Sequence, residues 1–404
     1  MKLSVLKHIL FGFVLLFIFH FETIDIVGIK ISHLWKGLAL LYILLNLVKN
    51  EIKLFLYRPY IIIAIMQLIH IDLSNNSSTP IFNFIITLFL PLIGVYVLKY
   101  NIKQLKYALF YFSFFFIASF IPYKLGIIQS IKQGYSLQDF GSVSYGLIGP
   151  FQTAHSASLT LATALVVIVF FLFEGSVKIK YLLPLFLIGF YFLMITYVRT
   201  GLVMFIVGIL PIFYYYAKKS AKYRFRIIIM GSLMSFLVST WVLSSPTMMN
   251  RIQGERTHNS EDSFRTLGSG RGLIWLSSTL VFLESSTKEK LVGMGEIEQK
   301  KRIGQKTGMN IASHNGFLDL LLVNGIIGLI IFLIFLYRIL KFLFADKSSY
   351  SSLALGLFVL YLTMCFFQGY SWINTTLMLM LSLSLCYNSS LHKNNMNKLT
   401  SSNI

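Results

Sequence analysis

Charged side chains are scarce in this sequence. Only 12% of its 404 residues are charged, whereas 56% are hydrophobic, and a soluble domain carries about 25% charged residues. So little polar surface cannot cover a globule in water, which excludes a soluble enzyme as well as the disordered and fibrous classes. The composition instead indicates a polytopic membrane protein.

Cysteine and acidic residues are also few. The two cysteines, Cys365 and Cys386, lie inside apolar stretches. We interpret them as small buried hydrophobic residues, not as a disulfide or a metal pair. The 15 acidic residues stand against 35 basic ones, which gives a net charge of +20. In a membrane protein such an excess reports first on topology, so we predict no nucleic-acid partner.

Apolar runs long enough to cross a bilayer recur along the whole chain. They are continuous rather than alternating, which favours helices over barrel strands. The first run follows Lys2 and Lys7 but lacks a small-residue cleavage site, so we expect it to be retained as a helix. The fold class is therefore an all-α polytopic membrane protein with about twelve helices, predicted at 3–21, 31–48, 54–71, 81–98, 105–122, 155–173, 179–197, 201–217, 227–243, 316–337, 351–368 and 372–387.

Lysine and arginine are unevenly divided between alternate loops. If the N-terminus is cytoplasmic, most of them fall in cytoplasmic loops and few in short outer loops, as the positive-inside rule requires. This assignment places both termini in the cytoplasm. It divides the chain into helices 1–9 (1–243), a large extracytoplasmic loop with a short interfacial helix (244–315), helices 10–12 (316–387) and a disordered cytoplasmic tail (388–404).

Nucleotide and metal motifs are absent from the sequence. The glycines at 268, 270 and 272 lack the Lys-Ser/Thr pair of a phosphate loop. No His, Cys, Asp or Glu residues recur at metal-ligand spacing. We therefore expect no metal and no cofactor.

Three polar positions stand out on the predicted outer face. Arg199 lies alone in a tight outer turn, and its planar fork suits a phosphate or pyrophosphate, although a snorkelling arginine explains it too. His314 ends the large loop and could take a proton from a sugar hydroxyl. Helix capping by Ser313 or Asn315 is the simpler interpretation of this stretch. Asp319, just inside an apolar helix, needs a partner or a function.

Further candidates lie near these positions. Arg265 and Arg271 bracket a glycine-rich stretch of the large loop and could bind an anion, although a solvated loop explains them equally well. His155 opens the sixth predicted helix. It could face an outer vestibule, but capping or packing of the helix also explains it.

In their order and spacing, these outer-face segments resemble the O-antigen ligase and polysaccharide polymerase (Wzy-like) superfamily. The segments are an arginine–glycine turn (199–201), two glycine-containing stretches of the large loop (270–275 and 293–295), the histidine stretch (314–318), part of the helix after it (324–329) and a stretch before the sixth helix (149–156). The resemblance implies a metal-independent glycosyltransferase in the bacterial cytoplasmic membrane. It would use a glycan linked to undecaprenyl pyrophosphate, with its active site on the extracytoplasmic face.

The resemblance also implies functions for individual residues. Arg199 and Arg271 would hold the pyrophosphate, with Arg265 as a third candidate. His314 would act as general base or orient the acceptor hydroxyl. Three residues, Asn315, Asp319 and His155, would support this site.

The acceptor distinguishes the activities within this superfamily. We favour a polymerase, with capsule, exopolysaccharide or O-antigen as product and a chain-length regulator as a further partner. The chain is rich in Lys, Ile, Asn and Phe, as AT-rich genomes tend to encode. An O-antigen ligase and a protein O-oligosaccharyltransferase are alternatives.

Two other classes of membrane protein remain open. A flippase for the same lipid-linked sugar would place charges along a path through the bilayer midplane, and few are present there. A peptidoglycan-type glycosyltransferase would use an acidic residue of the outer loop, which keeps Glu261 and Asp262 as candidates.

Overall fold

The chain is described by a computed structural model. The described residues are 25–26, 29–30, 38, 40–45, 56–70, 79–98, 100–128, 135–137, 142–144, 146–151, 153–244, 271–346 and 348–401. Two short antiparallel hairpins are present, β1 (Asp25–Ile26) with β2 (Ile29–Lys30) and β3 (Tyr135–Leu137) with β4 (Ser142–Ser144). The first predicted membrane helix lies outside these residues, and the second is described only in part.

Helices make up the rest of the regular structure that is described. In chain order they are α1 (Arg58–Gln67), α2 (Thr79–Val97), α3 (Ile102–Ala118), α4 (Ile121–Lys124), α5 (Ala154–Glu174), α6 (Ile179–Ile195), α7 (Arg199–Lys219), α8 (Ala221–Ser244), α9 (Arg271–Glu284), α10 (Thr287–Val292), α11 (Glu296–Thr307), α12 (Gly316–Ala345), α13 (Ser349–Phe367) and α14 (Ile373–Ser401).

Six stretches are long and apolar enough to cross a membrane. They are Ile102–Lys124, Ala154–Glu174, Arg199–Lys219, Ala221–Ser244, Gly316–Ala345 and Ser349–Phe367. Shorter apolar helices lie at Arg58–His70, Phe84–Val97 and Ile179–Ile195. An all-α polytopic membrane protein is consistent with these helices. The count of twelve spans and the division into four regions stay predictions, and helix α14 continues through residues 388–401 of the predicted tail.

Helix α5 is the centre of the bundle. It begins where the Thr153 hydroxyl accepts a hydrogen bond from the Ser156 amide at 3.1 Å, and it ends at Gly175, whose φ of 84° forms a left-handed cap. From Ala157 to Phe171 every side chain is buried, because helices α3, α6, α7 and α13 surround it. By contrast, no residue of α8 is buried, which places α8 at the edge of the bundle.

Several helix ends come together at one end of the bundle. Helices α5, α7, α12 and α14 begin there, and α6 and α13 end there. We call this the site end. A cap formed by α9, α10 and α11 packs against it through a small apolar cluster of Ile274, Val281, Ile303 and Leu322.

The cap docks onto a break in helix α12. Gly325 has a φ of 68° and a ψ of −172°, outside the helical region. Two carbonyls before the break accept hydrogen bonds from the cap instead of from their own helix. The Met294 amide donates to Leu322 O at 2.8 Å, and the Gly295 amide donates to Val323 O at 3.3 Å. Broken helices at membrane depth require such substitute partners. Two stretches singled out in the sequence, 293–295 and 324–329, therefore meet here.

Substituting Gly325 should loosen the cap. An alanine Cβ at this position would overlap the Leu291 carbonyl, and a positive φ costs a non-glycine residue about 1–2 kcal/mol. We expect Gly325→Ala to make residues 271–307 more sensitive to limited proteolysis. Gly308→Ala is the matched control, because Gly308 has a φ of +76° with nothing within 4 Å of an added Cβ. Equal proteolysis of the two variants would contradict docking at the break.

Candidate active site

Arg199 is positioned by a close approach of two helices. It is the first residue of α7, after a turn in which Tyr197 has a φ of 56°. Two residues later, Gly201 lies so near Ser158 of α5 that an added Cβ would overlap the serine hydroxyl. The Arg-Thr-Gly turn thus needs glycine for packing. That packing sets Arg199, whose side chain is exposed, at the site end of the bundle.

Arg271 opens the first helix of the cap and lies beside Arg199. Its guanidinium carbon is 5.7 Å from the centre of the Phe367 ring, at the end of α13. Burial lowers the pKa of Arg271, and the charge of Arg199 lowers it further. Arginine remains protonated under such shifts. The fold therefore brings together two like charges that lie 72 positions apart in the sequence, an arrangement that an anion would relieve.

His314 belongs to the same group of side chains. Burial lowers the pKa of its imidazole below the ordinary 6.5, and the charge of Arg271 adds to the shift. The imidazole is therefore neutral near pH 7 and can accept a proton. Three of the sequence candidates, Arg199, Arg271 and His314, thus form one electrostatically connected group, since Arg271 interacts with both of the others.

The backbone at His314 is held in a rarely used conformation. Its φ is 52°, and Tyr197 is the other non-glycine residue with positive φ in the described part of the chain. Both lie in the predicted site turns. Such conformations persist only where the surroundings impose them, and they concentrate at functional sites.

Asp319 and Asn315 hold the turn on either side of His314. The Asp319 Oδ1 accepts hydrogen bonds from the Ser313 amide at 3.0 Å, the Ser313 hydroxyl at 2.7 Å and the Gln299 side chain at 2.6 Å. The Asn315 side chain accepts from the amides of Phe317 and Leu318 and so caps α12. The helix-capping interpretation of the sequence is thus correct for Asn315, whereas Asp319 serves to anchor the loop.

A segment that the sequence analysis missed lies against this site. Residues 368–372 join α13 to α14, and the Gln368 Nε2 lies 3.2 Å from Nδ1 of His155. An added Cβ at Gly316 would meet the backbone of 369–370, so the segment packs against the start of α12. Its only sequence signal is a short polar interruption between two apolar helices. This contact ties His155 to the segment.

Trp275 is a second residue that was not singled out as a candidate. It lies one helical turn after Arg271, so the two share a face of α9. Its indole N–H is buried and has no hydrogen-bond partner within the described residues. Arg265, Glu261 and Asp262 lie outside the described part of the chain.

No group of three or more His, Cys, Asp or Glu side chains in the described residues could hold a metal ion. The described site brings together two guanidinium groups and an imidazole. Guanidinium groups bind and stabilise oxyanions, and an imidazole transfers protons.

Comparison with known protein families gives a match over the part of the chain that holds this site. A family model described as O-antigen ligase (Wzy_C) matches residues 184–333. This segment belongs to the O-antigen ligase/Wzy-like superfamily. No curated protein matches the chain.

The Wzy-like segment contains the convergent residues. Arg199, Arg271 and His314 fall within it, as does the break in α12, whereas His155 and Gln368 fall outside. Members of this superfamily are glycosyltransferase-like enzymes of the bacterial inner membrane, ligases or polymerases. The family match over residues 184–333 and the apolar helices together support a multi-pass membrane protein.

Proposed function

We propose that the protein is a polysaccharide polymerase. It would transfer a growing glycan from undecaprenyl pyrophosphate to the sugar of a lipid-linked repeat unit, without a metal, on the outer face of the cytoplasmic membrane. The observation that carries this proposal is the convergence of Arg199, Arg271 and His314 within the Wzy-like segment.

The reaction follows from the chemistry of these side chains. The Nε2 or Nδ1 of the neutral His314 imidazole takes the proton from the acceptor hydroxyl, whose oxygen attacks the anomeric carbon of the donor. The bond from that carbon to the pyrophosphate oxygen breaks, and the electron pair leaves with the pyrophosphate. Arg199 and Arg271 stabilise the charge that develops there. Arg265 is proposed as a third residue for the pyrophosphate, and Asn315, Asp319 and His155 are proposed as supporting residues.

The distribution of charge supports an outer-face site. The end of the bundle opposite the site carries Lys218 and Lys219 at the end of α7 and Lys178 just before α6. Short loops rich in lysine and arginine face the cytoplasm. This rule supports our proposal that the site end faces the outside of the cytoplasmic membrane.

The O-antigen ligase is the second candidate, favoured by the description of the matching family. It would use the same two arginines and the same histidine, and would differ in transferring the glycan once, to a different acceptor. A protein O-oligosaccharyltransferase differs in the acceptor as well. A flippase is less consistent with the described helices, because their charged residues lie near the helix ends rather than along a midplane path.

Purified protein in liposomes tests the proposal. We expect undecaprenyl-pyrophosphate-linked repeat unit from the source strain, without nucleotide sugar or added metal, to yield a ladder of products on a gel. A ladder that is lost on chelation would contradict metal independence. Transfer only to added lipid A core would indicate the ligase, and movement of the lipid-linked sugar across the bilayer without transfer would indicate the flippase.

A further inference from the structure

A cavity of about 400 Å³ lies next to the candidate active site. It is bordered by the end of α1, the start of α11, the first turns of α12 and the segment 369–371. Small-molecule sites fall in the range of about 300–1,000 Å³, so this cavity has room for a sugar or a disaccharide. Arg199, Arg271 and His314 do not line it.

The lining is rich in groups that bind hydroxyls. Gln67, Gln299, Tyr370 and Asp319 all border the cavity. The Gln67 Nε2 donates to the Tyr370 hydroxyl at 2.7 Å, but the Gln67 Oε1 is buried with no hydrogen-bond partner in the described part of the chain. Leaving such a buried acceptor unpaired is unfavourable, because it has lost its hydrogen bonds to water. A ligand hydroxyl or amide would supply the missing donor.

The charge of the lining selects against anions. Three carboxylates border the cavity, those of Glu296, Glu298 and Asp319, and no lysine or arginine is among the described lining residues. Glu296 pairs with Lys300 and Glu298 with Arg302, whereas the described donors to Asp319 are uncharged. A phosphate or a uronic acid would meet repulsion here. The neighbouring arginine site has the opposite character.

Hydrogen bonds connect the cavity lining to the loop that carries His314. Asp319 borders the cavity, and its carboxylate accepts from the amide and hydroxyl of Ser313, the residue directly before His314. The cavity is therefore connected to the loop that carries His314 through the hydrogen bonds between Asp319 and Ser313.

We propose that this cavity binds an uncharged sugar of the glycan acceptor through Gln67, Tyr370 and Asp319, and rejects acidic sugars. That the bound sugar belongs to the glycan acceptor rests on the proposed function, whereas binding of a free sugar can be measured without turnover.

Ligand-observed NMR on the full chain in nanodiscs tests this proposal. The probes are the methyl glycosides of glucose, galactose, mannose and N-acetylglucosamine, with methyl glucuronide as the acidic member. We expect at least one neutral glycoside to bind at least tenfold more tightly than methyl glucuronide. Gln67→Leu should weaken that binding at least fivefold. Tyr370→Phe provides a second variant, because the Tyr370 backbone carbonyl keeps its bond from the Tyr361 hydroxyl.

The controls separate this proposal from the proposed function. Gln305→Leu replaces an exposed glutamine of α11 outside the cavity and should leave binding unchanged. Failure of every neutral glycoside to bind at 50 mM, binding of the glucuronide at equal strength, or indifference to both cavity variants would each overturn the cavity site. Polymer formation without glycoside binding refutes the cavity alone. Glycoside binding without any transfer refutes the polymerase alone.

Discussion

Replacing Arg271 with alanine should reduce glycan transfer by about 10²–10³-fold, the usual loss when one donor to a developing oxyanion is removed. The guanidinium of Arg271 is partly buried and lies within reach of both Arg199 and His314. Its charge would therefore act on the pyrophosphate through a medium less polar than water. The rate of ladder formation in liposomes, at equal amounts of protein, measures the effect.

A conservative variant separates charge from geometry. Arg271→Lys keeps the positive charge but loses the planar fork that binds two phosphate oxygens at once, so its activity should lie between wild type and Arg271→Ala. Arg224→Ala, which removes an exposed arginine near the start of α8, is the matched control and should transfer normally. Activity of Arg271→Ala within threefold of wild type would remove this arginine from the mechanism.

The sequence predicted the helices better than it predicted their interruption. Apolar runs fix most membrane helices to within a few residues, because burial in lipid needs length and little charge. Helix α12 was expected to be continuous from 316 to 337, and hydrophobicity indeed continues through Asn324 and Gly325. Its break depends on the two cap amides that donate to α12 carbonyls, and no local sequence pattern records that contact.

The candidate site, too, was predictable only in part from the sequence. Arg199 and His314 were recognisable because a lone arginine and a histidine at membrane re-entry points are costly unless used. The pairing of Gln67 with Tyr370 spans 303 positions, and that of Gln299 with Asp319 joins the cap to a bundle helix. Spacing along the chain cannot show such pairs. Asp319 was therefore predicted to need a partner without the partner being identified.

Replacing His314 with asparagine should abolish measurable transfer, a loss of about 10²–10⁴-fold for a general base. Asparagine is the informative substitution because it tolerates the left-handed φ of 52° that the turn imposes. The variant therefore removes the imidazole while keeping the turn, whereas His314→Ala adds backbone strain. Near-normal ladder formation by a well-expressed His314→Asn protein would exclude this histidine as the base.

The pH dependence of transfer should report the same imidazole. Burial first, and then the charge of Arg271, lower the pKa of His314 below 6.5, so the neutral form predominates above that value. As the pH falls through this pKa, the imidazole gains a proton and can no longer accept one, and the rate should fall with a midpoint below 6.5. Removing the Arg271 charge should move the pKa upward, towards 6.5. Histidine NMR titration of Arg271→Ala measures this shift without turnover, and an unchanged or lower pKa would contradict the coupling on which the site rests.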